Sequence, residues 1–569
     1  VTKKQKWLLP IATLSVTGLL LAGCGTGGNN AVGNTDNGSL NASTATPKDG
    51  GTLVVSSFSD IVTVNPLFIE DTASGDIQQL LYANVYDVDR KGNLVAEPWS
   101  LADGPLKISP DGLTYTVKLK PNAKWSDGQP VTADDLVWTI NTILNPATGS
   151  VLLSNFDHVK SVKKIDEHTV QIQLKSVFAP FQYSLNFPVL PYHVLKNIAP
   201  KDLEKNPYGT DPTKTVTDGP WKWTEWNQKE YLRLDRDPNY WGPKPHIQTI
   251  MYKIYADQNT EVQALIKGDT DVNESVPIPQ LNAVEARKNI DVILKPGPQY
   301  EYLAFNFQAS NFPGNFDPFT GQKTRQAIAY ALNCQGMLDS VLHGTGTLLN
   351  SPFLPAPVGW TGAATAGTTY NYDPAKAKQL LKEDGWTPGP DGILQKDGHR
   401  FSFTLLYNTG NSRREQIATV IQQELKDVGI DCQPKAEDFS SLVANSLNPG
   451  KFQAVLMGQN MTVDPDVSVL FSSKYFPPNG ENMGWYKNAQ VDKLLAEGDA
   501  TLDKTQRSKI YQQVAKIMSQ DLPEVFLYQY GLPFAYSSNV HWNPQWAPEP
   551  SLPYGYFYGI QTWWVDRQS

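Results

Sequence analysis

Residues 112–144 read GLTYTVKLKPNAKWSDGQPVTADDLVWTINTIL. Leu113, Tyr115, Val117 and Leu119 alternate with polar residues, the period of a strand that buries one face. Trp125-Ser126-Asp127-Gly128 reads as a turn, its Asp-Gly pair suited to positive φ. Thr132 then stands before an apolar-periodic run with Asp135 three residues on, the spacing of a capping box at a helix start. HTVQIQLKS (168–176) alternates again. Together these make residues 87–213 a compact α+β unit.

Working outward, GTLVVSSF (51–58) is a β-rich run, and VNPLFIEDTASGDIQQLLYANVYD (64–87) turns helical from about Ser74. Downstream, DGPWKWTEWNQKEYLRLDRDPNYWGPKP (218–245) and HIQTIMYKIYAD (246–257) bring strands back. NTEVQALIKGD is a helix ending at Gly268, with a short strand in TDVN. After YEYLAFNF (300–307) the texture shifts to longer helices. TRQAIAYALNCQGMLDSVLHG (324–344) reads as one helix. DPAKAKQLLKEDGW (373–386) has Asp373 as cap and Pro374 at the first helical position. NSRREQIATVIQQELKDVG (411–429) has Ser412 and Glu415 at capping-box spacing and Gly429 as stop, with the strand IDCQPK after it. Helix–strand alternation of this kind predicts an α/β domain. EVFLYQY (524–530) is strand-like, and an aromatic tail, SLPYGYFYGIQTWWV (551–565), follows. No internal repeat is visible.

The chain has 569 residues and a formal charge of −9, and an acidic surface gives no electrostatic footing for nucleic acid. Tyr 25, Phe 21 and Trp 15 make an aromatic content that suits a pocket gripping apolar or planar groups as well as a core. Of three cysteines, Cys334 and Cys432 lie in apolar helix or strand patterns and read as buried thiols; export leaves a disulfide between them open.

The third cysteine ends a different pattern. Lys3, Lys4 and Lys6 precede a mainly apolar segment from Trp7 to Ala22, interrupted by Pro10 and Gly18, in the layout of a secretory signal. It is shorter than the ~20 residues that a spanning helix needs. Leu21-Ala22-Gly23-Cys24 resembles the lipobox of bacterial lipoproteins. That resemblance implies cleavage after residue 23 and a diacylglycerol on the Cys24 sulfur. The Gly-, Asn-, Ser- and Thr-rich residues 24–48 cannot bury enough surface to fold and read as a flexible tether.

Several blocks carry a wider resemblance: LKPNAKWSDGQPVTADDLVWTI, TDGPWKWTEW, DRDPNYWGPKPHIQTI, DQNTEVQALIKGDTDV, YLAFNFQ, KTRQAIAYALN and YKNAQVDKLL. In this order and spacing the chain from Gly51 onward resembles the peptide/nickel-binding family of extracytoplasmic solute-binding proteins, which serve ABC importers. The resemblance implies an α/β fold of two lobes around a hinge, with an extra α+β domain inserted in the first. Lobe one would comprise residues 49–86, 214–300 and 523–569, the extra domain 87–213, and lobe two 301–522. The turn clusters at Trp125–Gly128 and Asp237–Gly242 read as structural, the aromatics of the latter pinning strands together.

In peptide-binding members the ligand lies between the lobes, paired with protein main chain as an added strand. Glu70 and Thr72 fall where lobe one of relatives meets ligand. Gln459, Asn460 and Asp464 lie in the lobe-two segment 457–466. Relatives that bind free peptides place an aspartate just before its Asp-Pro pair to hold the ligand amine; here the register gives Met461 or Thr462, neither acidic. Asp464 and Glu70 are the remaining carboxylates for that role. Trp485 and Tyr486 match another ligand-facing segment, Trp485 as a stacking platform, and Tyr302 and Asn306, with Tyr300, sit on the hinge-crossing strand.

Catalysis finds no footing in the sequence. The seven histidines are scattered without zinc-ligand spacing, no His-Glu-x-x-His or Gly-x-Ser-x-Gly occurs, and Gly344-Thr345-Gly346 lacks the rest of a dinucleotide fingerprint. Asp134-Asp135 sits at a helix start, where the dipole accounts for it. The reading is therefore a monomeric, non-enzymatic receptor without cofactor or metal, lipid-anchored at the outer face of a bacterial membrane. It would pass peptides to an ABC permease. Oligosaccharide uptake and a ligand sensor without a transporter stay open, and a nickel-chelate receptor is disfavoured because no histidine falls in the cleft segments.

Overall fold

The computed structural model describes residues 41–69, 71–355, 361–477 and 480–566. The leader, Cys24 and Glu70 lie outside the described residues. The tether expected over 24–48 is already held at its far end. Ala42 bridges to Trp542, Ser43 N donates to Trp542 O at 2.9 Å, and the Asn41 amide donates to Ser537 O. Among the described residues no helix is long and apolar enough to cross a membrane.

Two large sheets organise the α/β fold. The first has seven strands, in the order Ile290–Ile293, Phe534–Ser537, Val272–Asn273, Thr52–Ser57, Thr249–Ile254, Tyr231–Arg236 and Trp221–Asn227. Its middle strand, Thr52–Ser57, runs parallel to both neighbours and buries Leu53 and Val55 completely. That fits the consecutive apolar residues Leu53-Val54-Val55 at its centre. The second sheet has six strands, in the order Gly346–Leu348, Glu524–Tyr530, Gln299–Phe305, Ala454–Asn460, Ser402–Asn408 and Asp431–Glu437.

The opening stretch forms as its pattern requires. Thr114–Lys118 buries Tyr115 and Val117 in a four-stranded sheet between Lys107–Ile108 and Thr169–Leu174, with Val159–Lys164 beyond. Helix Ala133–Leu144 opens on a true capping box, Thr132 with Asp135. The other Asp135 oxygen accepts from Tyr192 N at 2.8 Å, so one carboxylate closes the helix and anchors the chain returning past it. This sheet shares one continuous apolar core with the first large sheet, whereas the second sheet has its own.

Two helix readings need correction. The run 324–344 is two helices, Gln322–Ala331 and Cys334–Val341, because Asn333 turns its side chain to cap Gly336 N at 2.9 Å. The cap of helix Ser412–Asp427 is Asn411, not Ser412, since Asn411 Oδ1 accepts from Arg414 N. Cys334 and Cys432 are free thiols, and burial pushes that of Cys334 up to about 12.

The chain passes between the two large sheets twice. The first passage runs from Ile293 to Gln299. The second was expected near residue 522 but lies between Tyr530 and Phe534, because Glu524–Tyr530 pairs with Gln299–Phe305 in the second sheet. The passages touch: Gly297 N donates to Tyr530 O at 2.9 Å and Gln529 Nε2 to Gly297 O at 2.8 Å. A Cβ on Gly531 would collide with the Lys295 carbonyl. Gly531→Ala should therefore force the passages apart and cost ~1–3 kcal/mol, as overpacking does. Denaturant melts that leave the midpoint unchanged would show that the passages do not need this contact.

Candidate ligand-binding site

Helix Thr72–Leu81 begins after Asp71, whose carboxylate caps Ser74 N at 2.8 Å. The Ser74 hydroxyl accepts from Val62 N and Thr63 N at 2.9 and 3.3 Å, strapping the preceding loop onto the first turn. Thr72 is exposed at that turn. The next turn presents Gly75, Gln78 and Gln79 to a cavity of about 240 Å³. Its other walls are Tyr82, Asn84 and Asp87, then Tyr240, the C-terminal loop 552–561, and Val463 from the second-sheet side. The cavity sits where the three expected domains meet. A Cβ on Gly75 would lie 2.5 Å from the Tyr554 hydroxyl, so a larger residue there would displace that ring.

The expected residues of the second lobe spread over different tasks. Asp464 is buried in a two-pronged ion pair with Arg507, at 2.6 and 2.7 Å, and Thr462 Oγ1 donates to Asp464 O. Asn306 donates to Gly450 O and accepts from Gln308 N. Tyr486 donates to Asp521 at 2.6 Å while Asn482 holds its backbone at both N and O. Asp464, Asn306 and Tyr486 thus have protein partners for their polar groups, and Gln459 Nε2 donates to Asn460 O at 3.2 Å. Gln459 is half-buried and Asn460 exposed at the end of strand Ala454–Asn460. Trp485 is half-buried at φ 60°, its ring stacked on Phe476 at 4.6 Å. Tyr302 and Tyr486 do meet, in a second cavity of about 20 Å³ that also exposes Glu524.

Three features escaped the sequence reading. Tyr240 lines the main cavity, although its turn read as structural; its neighbour Trp241 donates through Nε1 to Asp218 O at 2.8 Å, in the loop just ahead of strand Trp221–Asn227. The C-terminal loop reaches the cavity from about 480 residues beyond helix Thr72–Leu81, and only its aromatic content marked it. Third, Arg413 and Arg414 both grip the fully buried Glu301, Arg413 through Nε and Nη2 at 2.9 and 2.8 Å and Arg414 through Nε at 2.5 Å. Two arginines in the first turn oppose the helix dipole, and that misfit was the available signal of a buried acid. The cluster carries one excess positive charge beside Gly458, where a Cβ would lie 2.7 Å from Arg414 Nη2.

Around the main cavity charge is scarce. Among the described residues Asp87 is the only acidic or basic side chain in its lining; it accepts from Asn84 Nδ2 and Ser100 Oγ, and burial holds its carboxyl above the usual range. Where the insert meets the second lobe, Ala179 N donates to Asp499 O at 2.6 Å and Lys504 reaches Asn93. The lining offers amides, phenols and aromatic faces, a chemistry of holding a ligand by shape and neutral hydrogen bonds.

Comparison with known proteins bears on what is held. Residues 93–482 match the family model described as bacterial extracellular solute-binding proteins, family 5 Middle. The oligopeptide-binding protein AppA of Bacillus subtilis is 32% identical over 99% of this chain and 100% of its own. Its structure with a nonapeptide superposes with a TM-score of 0.76, covering 91% of this chain and all of AppA. The glutathione-binding protein GsiB of Escherichia coli K12 is 28% identical over 86% of this chain and 91% of its own. The substrate-binding protein CtaP of Listeria monocytogenes, an ABC transporter component, superposes with a TM-score of 0.76 at 27% identity, covering 91% of this chain and all of CtaP.

Glu524 gives this region a pH dependence. Burial pushes its carboxyl from 4.5 up to about 8, against a hydrogen bond from Tyr300 that favours the charged form. Between those values the native state binds a proton that the unfolded chain has lost, so stability falls as pH rises through the window. Glu524→Gln should shrink the drop in melting temperature between about pH 5 and about pH 8. An unchanged drop in calorimetry would mean that other groups produce it.

Proposed function

The chain belongs to family 5 of the bacterial extracellular solute-binding proteins, and on that premise we propose that it captures peptides between its lobes and delivers them to an ABC permease. The observation that carries the reading is the full-length match to AppA, an oligopeptide-binding protein, together with its nonapeptide-bound structure. The cavity at the meeting of the expected domains supports it, as do the two adjoining passages, which suit hinge closure over a buried ligand. Lobe one would comprise 49–86, 214–300 and the C-terminal segment beyond Tyr530, the extra domain 87–213, and lobe two the second sheet with its helices. Thr72, Tyr302, Gln459, Asn460 and Trp485 are the proposed contacts, with Glu70 from the facing loop. An oligosaccharide is the second reading, favoured by the aromatic and amide lining.

The amine of a bound peptide is not gripped by a carboxylate in the 461–464 segment. Met461 is apolar and buried, Thr462 is turned onto Asp464, and Asp464 is already satisfied by Arg507. A buried ammonium without an anion is costly, so the amine stays wet or lies beyond the site. Isothermal calorimetry on nonapeptides with free and acetylated amino termini should show binding by both, less than about tenfold apart, or ~1.4 kcal/mol. Failure of any peptide to bind would overturn the function, and a hundredfold loss on acetylation would point to Glu70 as an anchor.

Cys24, in its lipobox-like setting, would carry the lipid that holds the receptor at the outer face of the membrane; two acyl chains anchor stably where one does not. Cys24→Ser should move the protein from detergent to water on phase partitioning. Retention in detergent would place the anchor elsewhere.

A further inference from the structure

The extra domain moves with lobe one, because its sheet and the first large sheet share one continuous apolar core. Yet it also touches lobe two, at the end of helix Ala489–Ala500 and the turn that follows. Ala179 N donates to Asp499 O at 2.6 Å, and Lys504 Nζ to Asn93 Oδ1 at 3.4 Å. A Cβ on Gly112 would lie 2.7 Å from Leu502 Cδ1 and 3.2 Å from Val177 Cγ1, so the two side chains meet over the bare backbone of Gly112. Val88 and Tyr183 of the extra domain pack against the apolar cluster that contains Leu494, Leu495 and Tyr511. A body fixed to one lobe cannot stay seated on the other when a hinge between them opens. Each of these contacts then has to break, so each one favours the closed form.

The seat on lobe two is tied to the segment that follows strand Ala454–Asn460. Arg507 donates through Nη1 and Nη2 to Asp464, and through Nε to Gly498 O at 2.8 Å. Asp466 accepts from Ser468 N at 2.8 Å, and Ser468 Oγ donates to Asp499 Oδ2 at 3.0 Å. Two bonded paths therefore join residues 464–468 to the pair Gly498-Asp499, on which Ala179 sits. Buried, charge-assisted bonds of this kind hold a geometry firmly. Val177, Ala179 and Leu502 themselves line neither cavity.

Resting on the hinge reading above, we propose that the extra domain is a closure latch, which grips the 498–502 turn of lobe two when the lobes meet. Whatever stabilises the closed form adds to the apparent affinity and slows release, although it never touches the ligand. The strength of peptide capture is thus set in part at a contact remote from the peptide.

The test compares the full chain with Leu502→Asp, and with Leu502→Asp/Val177→Lys, which restores an attraction across the same seat. Thermal melts of all three separate loss of the fold from loss of the latch. Solution scattering without ligand reads closure alone: Leu502→Asp should have the larger radius of gyration, and the double variant should return toward the wild type. Calorimetry and stopped flow with the nonapeptides used above read affinity and release. Leu502→Asp should bind about tenfold more weakly, mainly through faster dissociation, and the double variant should recover most of that loss. If either the radius or the affinity is unchanged in Leu502→Asp, the latch is overturned and peptide capture stands. A loss that the double variant does not recover overturns it too, since the effect then lies outside this seat. If no peptide binds the wild type, the peptide reading falls, and scattering decides the latch by itself.

Discussion

The carboxylate of Glu301, with no exposed surface and two guanidiniums upon it, is the constraint on which the second lobe depends. It lies on Gln299–Phe305, the strand that enters from the first sheet, at the point where pairing with Glu524–Tyr530 slips by one residue. Arg414 also reaches Asn408 at 2.5 Å, and Arg413 lies 4.0 Å over the ring of Tyr530, the last residue before the chain leaves again. One acid thus ties the incoming strand, the outgoing strand, strand Ser402–Asn408 and the start of helix Ser412–Asp427. Removing it would leave two buried cations facing each other at a helix N-terminus, where the dipole is already positive.

The same economy of charge shapes the ligand side. Asp464 is spent on Arg507, and Asp521 on Tyr486 and Asn488, so carboxylates near the second-lobe segments serve the fold. Among the described residues, what remains toward the main cavity is a lining of amides and aromatic rings around one hydrogen-bonded acid. A receptor built this way would gain affinity from burial and neutral hydrogen bonds rather than from ion pairs. Screening by salt would then change its affinity little. The two touching passages suit such a receptor, since closing over the ligand removes it from water without having to bring charges together.

Much of the fold was legible because its signals are local. The alternation at Tyr115 and Val117, the capping box of Thr132 and Asp135, the Asp373-Pro374 start and the stop at Gly268 depend only on neighbours a few residues away. The family blocks added the two-lobed α/β class. Where local reading failed, a competing local bond had won: Asn333 could cap a new helix, so the run through it broke in two. The boundary at 522 failed for a different reason. Strand Glu524–Tyr530 follows a helix that ends at Asp521, which looks like a domain edge in one dimension, but its hydrogen-bond partners lie in Gln299–Phe305.

The sequence by itself determined the class of protein and most element starts and stops. Only the tertiary structure decided which side chains had partners to spare. Asp464 became a structural ion pair because a helix more than forty residues later brought Arg507 to it. Gln79, Tyr240 and Gln561 came to line one cavity because folding gathered three distant parts of the chain around it. No spacing rule links residues so far apart. The physical reason is that a side chain's role depends on what remains unsatisfied after the backbone has packed, and that is a property of the folded whole.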